Sequence, residues 1–490
     1  MSQPPITSRY WLWARPVLGL CLLIGLYIVT GGMSNPVYAK TTLVVSNCSS
    51  DAQLQADVTQ ANNDNNSDVI TFSCSGDITL SSTLQITGSM TIDGTGQSVT
   101  LDGHNTVGGI FSISPNLTIN NLTIANGVST AGGAILNGGT LTVNNSTFID
   151  NSAPFGGNGG GAIWTNEGIA NINSSTFVGN WSSTSGNVLQ AISGSILTIS
   201  NSTIVDNLDS SSDASALANF GSTINVFGSI IANNAGSNCS GSTITDQGYN
   251  LESGTDCRFT ASTDLQNTNP QVAPLANNGG PTETLALLNN SPAINAIPTS
   301  ACTATTDQRG ITRPQGPACD IGAFELRAPQ LSLPNTITVN ATSQQGATVT
   351  YTATASNPDA SSTAATVTCT PSSGSIFPIG TTQVNCSASN AAGQTTGSFQ
   401  VVVNANAAQQ IGNLTTTVNG FHFTKTIQAT LDAELLVAQK AASLNKVKDS
   451  CIALDVFIGE VQLLTGHGIT SSQASQLLTL ARQIKALLAC

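Results

Sequence analysis

Asn145-Ser146-Thr147-Phe148-Ile149-Asp150-Asn151 and Asn201-Ser202-Thr203-Ile204-Val205-Asp206-Asn207 are nearly one phrase written twice. Looser copies stand at residues 121–126, 174–180 and 228–233, and the closing asparagines are Asn126, Asn151, Asn180, Asn207 and Asn233. Their steps of 25, 29, 27 and 26 residues mark one supersecondary unit stacked on itself. Each unit holds two further runs. One is the series 132–136, 160–164, 190–192 and 216–218; the other is 140–143, 169–172, 196–199 and 223–226. Apolar residues alternate there with Thr, Ser or Asn, the period-two pattern of strands with one buried face. Helical spacing is absent, and the glycines of the first series disfavour helix. Three short strands per coil describe a right-handed parallel β-helix with coils about 4.8 Å apart. The competing reading is a β-sandwich with degenerate strands. The recurrent corner asparagine is expected to accept a left-handed backbone and to hydrogen-bond its copies above and below.

Upstream, residues 69–72, 78–80, 84–86, 90–92 and 99–101 continue the pattern with tighter turns. Residues 52–61 have helix-forming composition and are placed to cap the open end of the rod, whose first coil otherwise exposes core and strand edges. Inserts at 182–186 and 209–213 read as loops on one side.

The chain of 490 residues is too long for one core, so several domains are expected. An apolar run over 17–30 follows Arg9 and Arg15 and precedes Val37-Tyr38-Ala39, which reads as a cleaved signal peptide over residues 1–39. An uncleaved membrane anchor is the alternative, although the run is short for a span. Cleavage takes the formal charge from −13 to −15, which disfavours nucleic acid as a partner. Between Thr41 and Thr424 there is no lysine, and the arginines are Arg258, Arg309, Arg313 and Arg327. Without Cys21, ten cysteines fall two by two: Cys48 and Cys74, Cys239 and Cys257, Cys302 and Cys319, Cys369 and Cys386, Cys451 and Cys490. Even number and short separations in an exported chain indicate disulfides between neighbours rather than a metal site, since no Cys-x-x-Cys or histidine cluster accompanies them.

Residues 275–325 change character. They carry Leu275-Ala276-Asn277-Asn278-Gly279-Gly280-Pro281-Thr282-Glu283-Thr284, then Ser291-Pro292-Ala293-Ile294, Asp307-Gln308-Arg309-Gly310, Arg313-Pro314 and Asp320-Ile321-Gly322-Ala323-Phe324-Glu325. This resembles the choice-of-anchor Q module of bacterial surface β-helices, and the coils before it resemble the polymorphic outer-membrane-protein type. Arg309 and Arg313 are expected to pair with Asp307, Asp320 or Glu325 and seal the last coil. Residues 326–404 alternate again, with strands at 348–355, 365–369, 382–386 and 398–403 and a β-sandwich as the expected result. Val367-Thr368-Cys369-Thr370-Pro371, Phe377-Pro378-Ile379-Gly380-Thr381-Thr382 and Val384-Asn385-Cys386 resemble the hyalin-repeat (HYR) domain, which implies an immunoglobulin-like module linked to extracellular adhesion. Ser389-Asn390 departs from the acidic residue usual there, so no calcium is expected.

Residues 405–425 read as a linker, and 426–490 as a small helical domain. Its apolar faces are Ile427, Leu431 and Leu435; then Leu454, Phe457, Ile458, Val461 and Leu464; then Leu477, Leu478, Ala481, Ile484 and Leu488. Thr470 and Gln473 make a capping box for the last helix. With Phe457-Ile458-Gly459-Glu460 and Ile469-Thr470-Ser471, this part resembles the bacterial FIMAH domain.

Parallel β-helices host polysaccharide lyases and hydrolases, whose chemistry needs a basic proton acceptor or paired carboxylates. The coils hold no lysine, no arginine before Arg258 and scattered acids, Asp93, Asp102, Asp150, Glu167, Asp206 and Asp209. Asp150 and Asp206 match in position two coils apart, about 10 Å by strand spacing, beyond the separation of about 6.5–9.5 Å that an inverting hydrolase uses. His104, His422 and His467 are far apart in the chain. No catalytic residue, metal or cofactor is expected. The many Asn-x-Ser/Thr triplets belong to the repeat code. For binding, the candidates are Trp164 and Trp181, in neighbouring coils; Trp164 matches Leu136, which also fits a core role, and Trp181 follows the corner Asn180. The expectation is a secreted or surface-associated bacterial protein without a transmembrane span after cleavage, which recognises an extracellular glycan or protein.

Overall fold

Alternation along the chain builds three parallel sheets of nine, eight and seven strands, each strand paired with its counterpart one coil away. The computed structural model describes residues 40–63, 66–105, 108–154, 159–184, 186–208, 215–342, 345–359 and 365–490. The signal segment expected at 1–39 and the loop at 209–213 lie outside them. One coil runs through the strands Ile163–Asn166, Ile169–Asn173 and Thr176–Val178, one in each sheet. Inward positions stack into columns, such as Ile119, Val143, Ile172, Ile199 and Val226, all fully buried. Phe148 and Phe177 stack in the same interior at 4.7 Å between ring centroids.

The corners differ from the sequence reading in one respect. Strand register aligns Thr123, Thr147, Thr176, Thr203 and Ile230. Counted from there, left-handed backbone and ladder fall on two adjacent positions rather than one. The left-handed residues are Asn126, Asp150, Gly179, Asp206 and Asn233, with φ from 52° to 69°. The ladder is the next column. Asn151 Nδ2 donates to Asn180 Oδ1 at 3.0 Å, Asn180 to Asn207 at 3.0 Å and Asn207 to Asn234 at 2.9 Å. The series of five closing asparagines thus mixed two columns, because Asn serves both the strained backbone and the buried amide. A second corner repeats the device with serine: the backbone N–H groups of Ser146, Ser175 and Ser202 each donate to the hydroxyl of the next coil at 3.2 Å.

Helix α1 (Ala52–Asn62) buries Leu54, Val58 and Ala61 against the first coils, and Asn62 ties its end to the backbone of Gln85, Thr87 and Gly88. The strand Thr42–Val45, which the sequence reading missed, pairs with Asp68–Phe72. At the other end Cys257 and Phe259 join the core behind the Cys239–Cys257 disulfide.

Residues 272–326 do not seal the last coil. They form an antiparallel pair, Val272–Ala276 with Thr284–Leu287, and irregular chain that covers the outer flank of the second sheet. The Thr147 hydroxyl donates to Glu283 O at 2.7 Å, Gln308 bridges Thr147 and Thr176 at 2.8 and 2.6 Å, and Ala323 N donates to Thr203 Oγ1 at 2.9 Å. These outward threonines are buried for that reason, and a second apolar core of Ile230, Leu251, Leu285, Leu287, Ile297 and Phe324 fills the space between.

The sandwich centres on a four-stranded sheet, Ile337–Asn340, Gln394–Asn404, Gly380–Ser389 and Thr366–Thr370 in that order, over a core of Phe377, Val384, Phe399 and Val401. After it come α2 (Ala407–Gly420), α3 (Lys425–Ser443), α4 (Val447–Leu464) and α5 (Ser471–Leu487). Helix α2 corrects the linker expected over 405–425. Asn406 and Gln409 cap it reciprocally, and Ile411, Leu414 and Val418 are buried in the bundle core. Gly412 and the run Thr415-Thr416-Thr417 have poor helix propensity, which masked an apolar stripe of helical spacing. The Thr470–Gln473 box is present at the start of α5. Five disulfides join the chain neighbours, at Cα separations from 4.1 to 6.2 Å. No helix among the described residues is long and apolar enough to cross a membrane.

Candidate functional site

Alternation decides where the two tryptophans stand. Ile163 and Thr165 are buried, so Trp164 between them lies on the outer face of the third sheet, between Leu136 and Gln190 in register. The core role that its match to Leu136 allowed is therefore not the one it takes. The ring is half-buried, and its Nε1 and Gln190 Oε1 are buried without partners among the described residues. Trp181 opens the two-residue strand Trp181–Ser182, which pairs with Ser152–Ala153. Its N–H donates to Asn151 O at 3.0 Å, Ser182 turns inward and the Trp181 ring stays half-buried outside the coil. Both aromatics thus sit on the exterior, on different strands.

Asp150 and Asp206 occupy one corner column with Gly179 between them. A Cβ on Gly179 would lie 2.2 Å from Asp150 Oδ1, so the Asp150 carboxyl leans over the glycine. Burial raises the pKa of both carboxyls above the usual value; for Asp206 a hydrogen bond from Asn233 opposes the shift. Among the described residues no cation pairs with either. The column can hold a proton, but it brings no base or second acid beside it. No group of three or more His, Cys, Asp or Glu among the described residues could hold a metal ion.

Among the described residues, charge is densest where residues 272–326 meet the sandwich. Arg309 bonds Asp307 at 2.7 Å and Asp359 at 2.8 Å, with all three side chains at most 2 % exposed. Its guanidinium also lies 3.6 Å from the Phe324 ring centroid. Arg327 takes the same Asp359 oxygen at 2.8 Å. Burial disfavours the Asp359 anion, yet the bonds from Arg327 and the charge of Arg309 hold its carboxyl below the usual range. Arg313 bonds Glu325 at 3.2 Å and the carbonyls of Asp320 and Gly322 at 2.6 Å. Asp320 accepts from Asn295 N and Leu326 N, both at 2.7 Å; burial first and the Glu325 charge second push it up to about 8. The expected partners Asp307 and Glu325 are present, while Asp320 meets Arg313 through its backbone. Asp359, from the sandwich, was not anticipated: a lone Asp in a stretch of Ala, Ser and Thr carries no periodic signal. Asn390 Nδ2 donates to Arg327 O at 2.8 Å and Asn295 Nδ2 to Ala392 O at 3.0 Å, so the sandwich is bolted to the flank of the rod.

This constellation fixes a joint, its buried charges pairing with one another. What it joins is the informative part. No curated protein and no solved structure matches the chain. The segment beyond the joint, residues 325–403, matches the HYR domain family.

Proposed function

We propose that this is a non-enzymatic exported bacterial protein, secreted or held at the cell surface, that acts as an adhesin or recognition protein. The observation that carries the reading is the HYR match, an extracellular adhesion-like domain, on a module rigidly bolted to a charge-poor β-solenoid. Five disulfides agree with an oxidising compartment. The resemblances to the polymorphic outer-membrane-protein, choice-of-anchor Q and FIMAH types support the same assignment. In this reading the solenoid is a stalk and partners meet its exterior or the modules it carries, with an extracellular glycan or protein as ligand. The test is binding of the purified protein to glycan arrays and to extracellular matrix proteins. Retention on either supports recognition, and retention on neither ends it.

A second reading rests on the Asp150–Asp206 column, whose two carboxyls hold protons more readily than usual. It is a polysaccharide lyase or glycoside hydrolase on the solenoid. Incubation with polyuronides and neutral glycans, with and without Ca²⁺, is expected to give no cleavage. Turnover abolished by Asp150→Asn or Asp206→Asn would establish the enzyme instead.

A further inference from the structure

On the outer face of the first sheet one column reads Asp93, Asn120, Asn144, Asn173, Ser200 and Phe227 in register. Its amides form an external ladder: Asn144 Nδ2 donates to Asn120 Oδ1 at 2.9 Å, and Asn173 Nδ2 to Asn144 Oδ1 at 3.0 Å. There the ladder stops. In the next coil stands Ser200, whose side chain is too short to continue it, and among the described residues nothing donates to Asn173 Oδ1. One coil further the column ends in Phe227, which meets Tyr249 edge to face at 6.0 Å; both rings are half-buried.

The residues covering the second sheet add the opposite wall. Thr303, beside the Cys302–Cys319 disulfide, accepts from Asn201 Nδ2 at 3.5 Å. Between these walls lies an open cleft of about 660 Å³ that includes Asn173, Ser200, Asn201, Phe227, Gln247 and Thr303. Its volume is in the range of small-ligand sites. None of the lining residues is charged, in a chain of formal charge −13. From Asn173 to Phe227 it spans two coil steps, about 10 Å along the rod.

We infer that this cleft binds a neutral glycan segment of two to three sugar rings. Amides and hydroxyls both donate and accept, as sugar hydroxyls do, so Ser200 and Gln247 can exchange hydrogen bonds with a ring edge, and the Asn173 Oδ1 left over by the ladder can accept one. The apolar face of a ring stacks on an aromatic, which Phe227 supplies at the end of the polar row. An ionic ligand finds no counter-charge there. The inference rests on the recognition reading and names its site and ligand class.

The test is calorimetric titration of the purified protein with neutral cello-, xylo- and manno-hexaoses, with hexagalacturonate as the charged control. At least one neutral hexaose is expected to bind, about tenfold more weakly after Phe227→Ala, since loss of one stacking contact is close to the free energy of a decade in affinity. Because Phe227 also supports Tyr249, the exposed Gln247→Ala is the companion variant, expected to weaken binding without changing the melting temperature. Trp181→Ala is expected to leave affinity unchanged. The assignment is overturned if no neutral hexaose binds, if hexagalacturonate binds best, or if neither cleft variant matters. Glycan binding lost only with Trp181→Ala sinks the cleft and leaves recognition standing, whereas retention on neither glycan arrays nor matrix proteins removes recognition itself.

Discussion

The rod and the joint solve the same problem with opposite materials. Both bury polar side chains that must find partners. In the rod the partners are amides and hydroxyls, Asn151–Asn180–Asn207–Asn234 and Ser146–Ser175–Ser202–Ser229; at the joint they are ions, Arg309 with Asp307 and Asp359, Arg313 with Glu325. The difference follows from repetition. A residue in a solenoid corner faces its own copy, so it must complement itself. An amide does, being donor and acceptor, whereas a carboxylate stacked on a carboxylate meets its own charge. The joint occurs once and is free to use unlike pairs. Self-complementarity accounts for the amides and hydroxyls of the corners, and a partner for the rod's charge-poor exterior is to be sought by neutral chemistry.

The comparison breaks most visibly at Arg309. Arg309→Met leaves Asp307 without its cation and Asp359 with Arg327 alone, in a site where no side chain but that of Arg327 reaches water. Removing one partner of a buried pair typically costs about 3–5 kcal/mol. Calorimetry is expected to show the sandwich melting earlier than the rod, as a separate transition. A variant that melts as one unit at the wild-type temperature would mean that apolar packing, not charge, holds the joint.

A smaller loss is expected inside the rod. Asn180→Ala orphans the Asn151 backbone N–H, which donates to Asn180 Oδ1 at 3.1 Å, and leaves Asn207 Oδ1 with the Asn180 backbone N–H as one donor instead of two. An unsatisfied buried group costs about 1–3 kcal/mol. Asn180→Asp sharpens the point. It keeps the shape and the acceptor but faces Asn207 Oδ1 with another acceptor, so at neutral pH it should be less stable than Asn180→Ala. Thermal melts of the two variants decide this, and an Asp variant equal to wild type would refute the self-complementarity argument.

The same contrast explains what the sequence could show. Stacking contacts recur every 24–29 residues, as in the Gly127–Asn151 and Ser146–Ser175 bonds, so each leaves several copies in the chain. Three strands per coil were legible for that reason, while the capping helix and α3 to α5 showed through local helix-forming composition and helical spacing of apolar residues. Contacts on the flank occur once and at long range, such as Gln308 with Thr147 at a separation of 161 residues and Ala323 with Thr203 at 120. Nothing periodic announces them, so residues 275–325 read as an end seal. Trp164 and Trp181 were visible because tryptophan is rare here. The cleft beside Phe227 was not, since it needs the fold to bring Thr303 opposite Asn201.

The last rung of the rod tests the comparison within a single corner. The serine ladder continues from Ser229 N to Asn250 Oδ1 at 3.1 Å and from Asn250 N to Asp264 Oδ1 at 2.7 Å, so a carboxylate closes it. Asp246 lies beside it. Burial opposes the Asp246 charge, but amides of Thr260, Ala261 and Gly248 overcome this and hold its carboxyl below the usual range. Asp264, first by burial and then by the neighbouring Asp246 carboxyl, is pushed up to about 6. A carboxyl whose folded value is raised contributes fully below its unfolded value of 3.8, and that stability is lost as pH rises through about 6. Asp264→Asn mimics the protonated acid and can donate to Asp246 at any pH. The variant should match wild type near pH 4 and melt higher at pH 7, by the smallest margin of the three because the site is partly open to solvent. If the two melting curves stay parallel across that range, the pair of carboxylates is no strain on the rod, and repetition alone does not explain why the coils avoid charge.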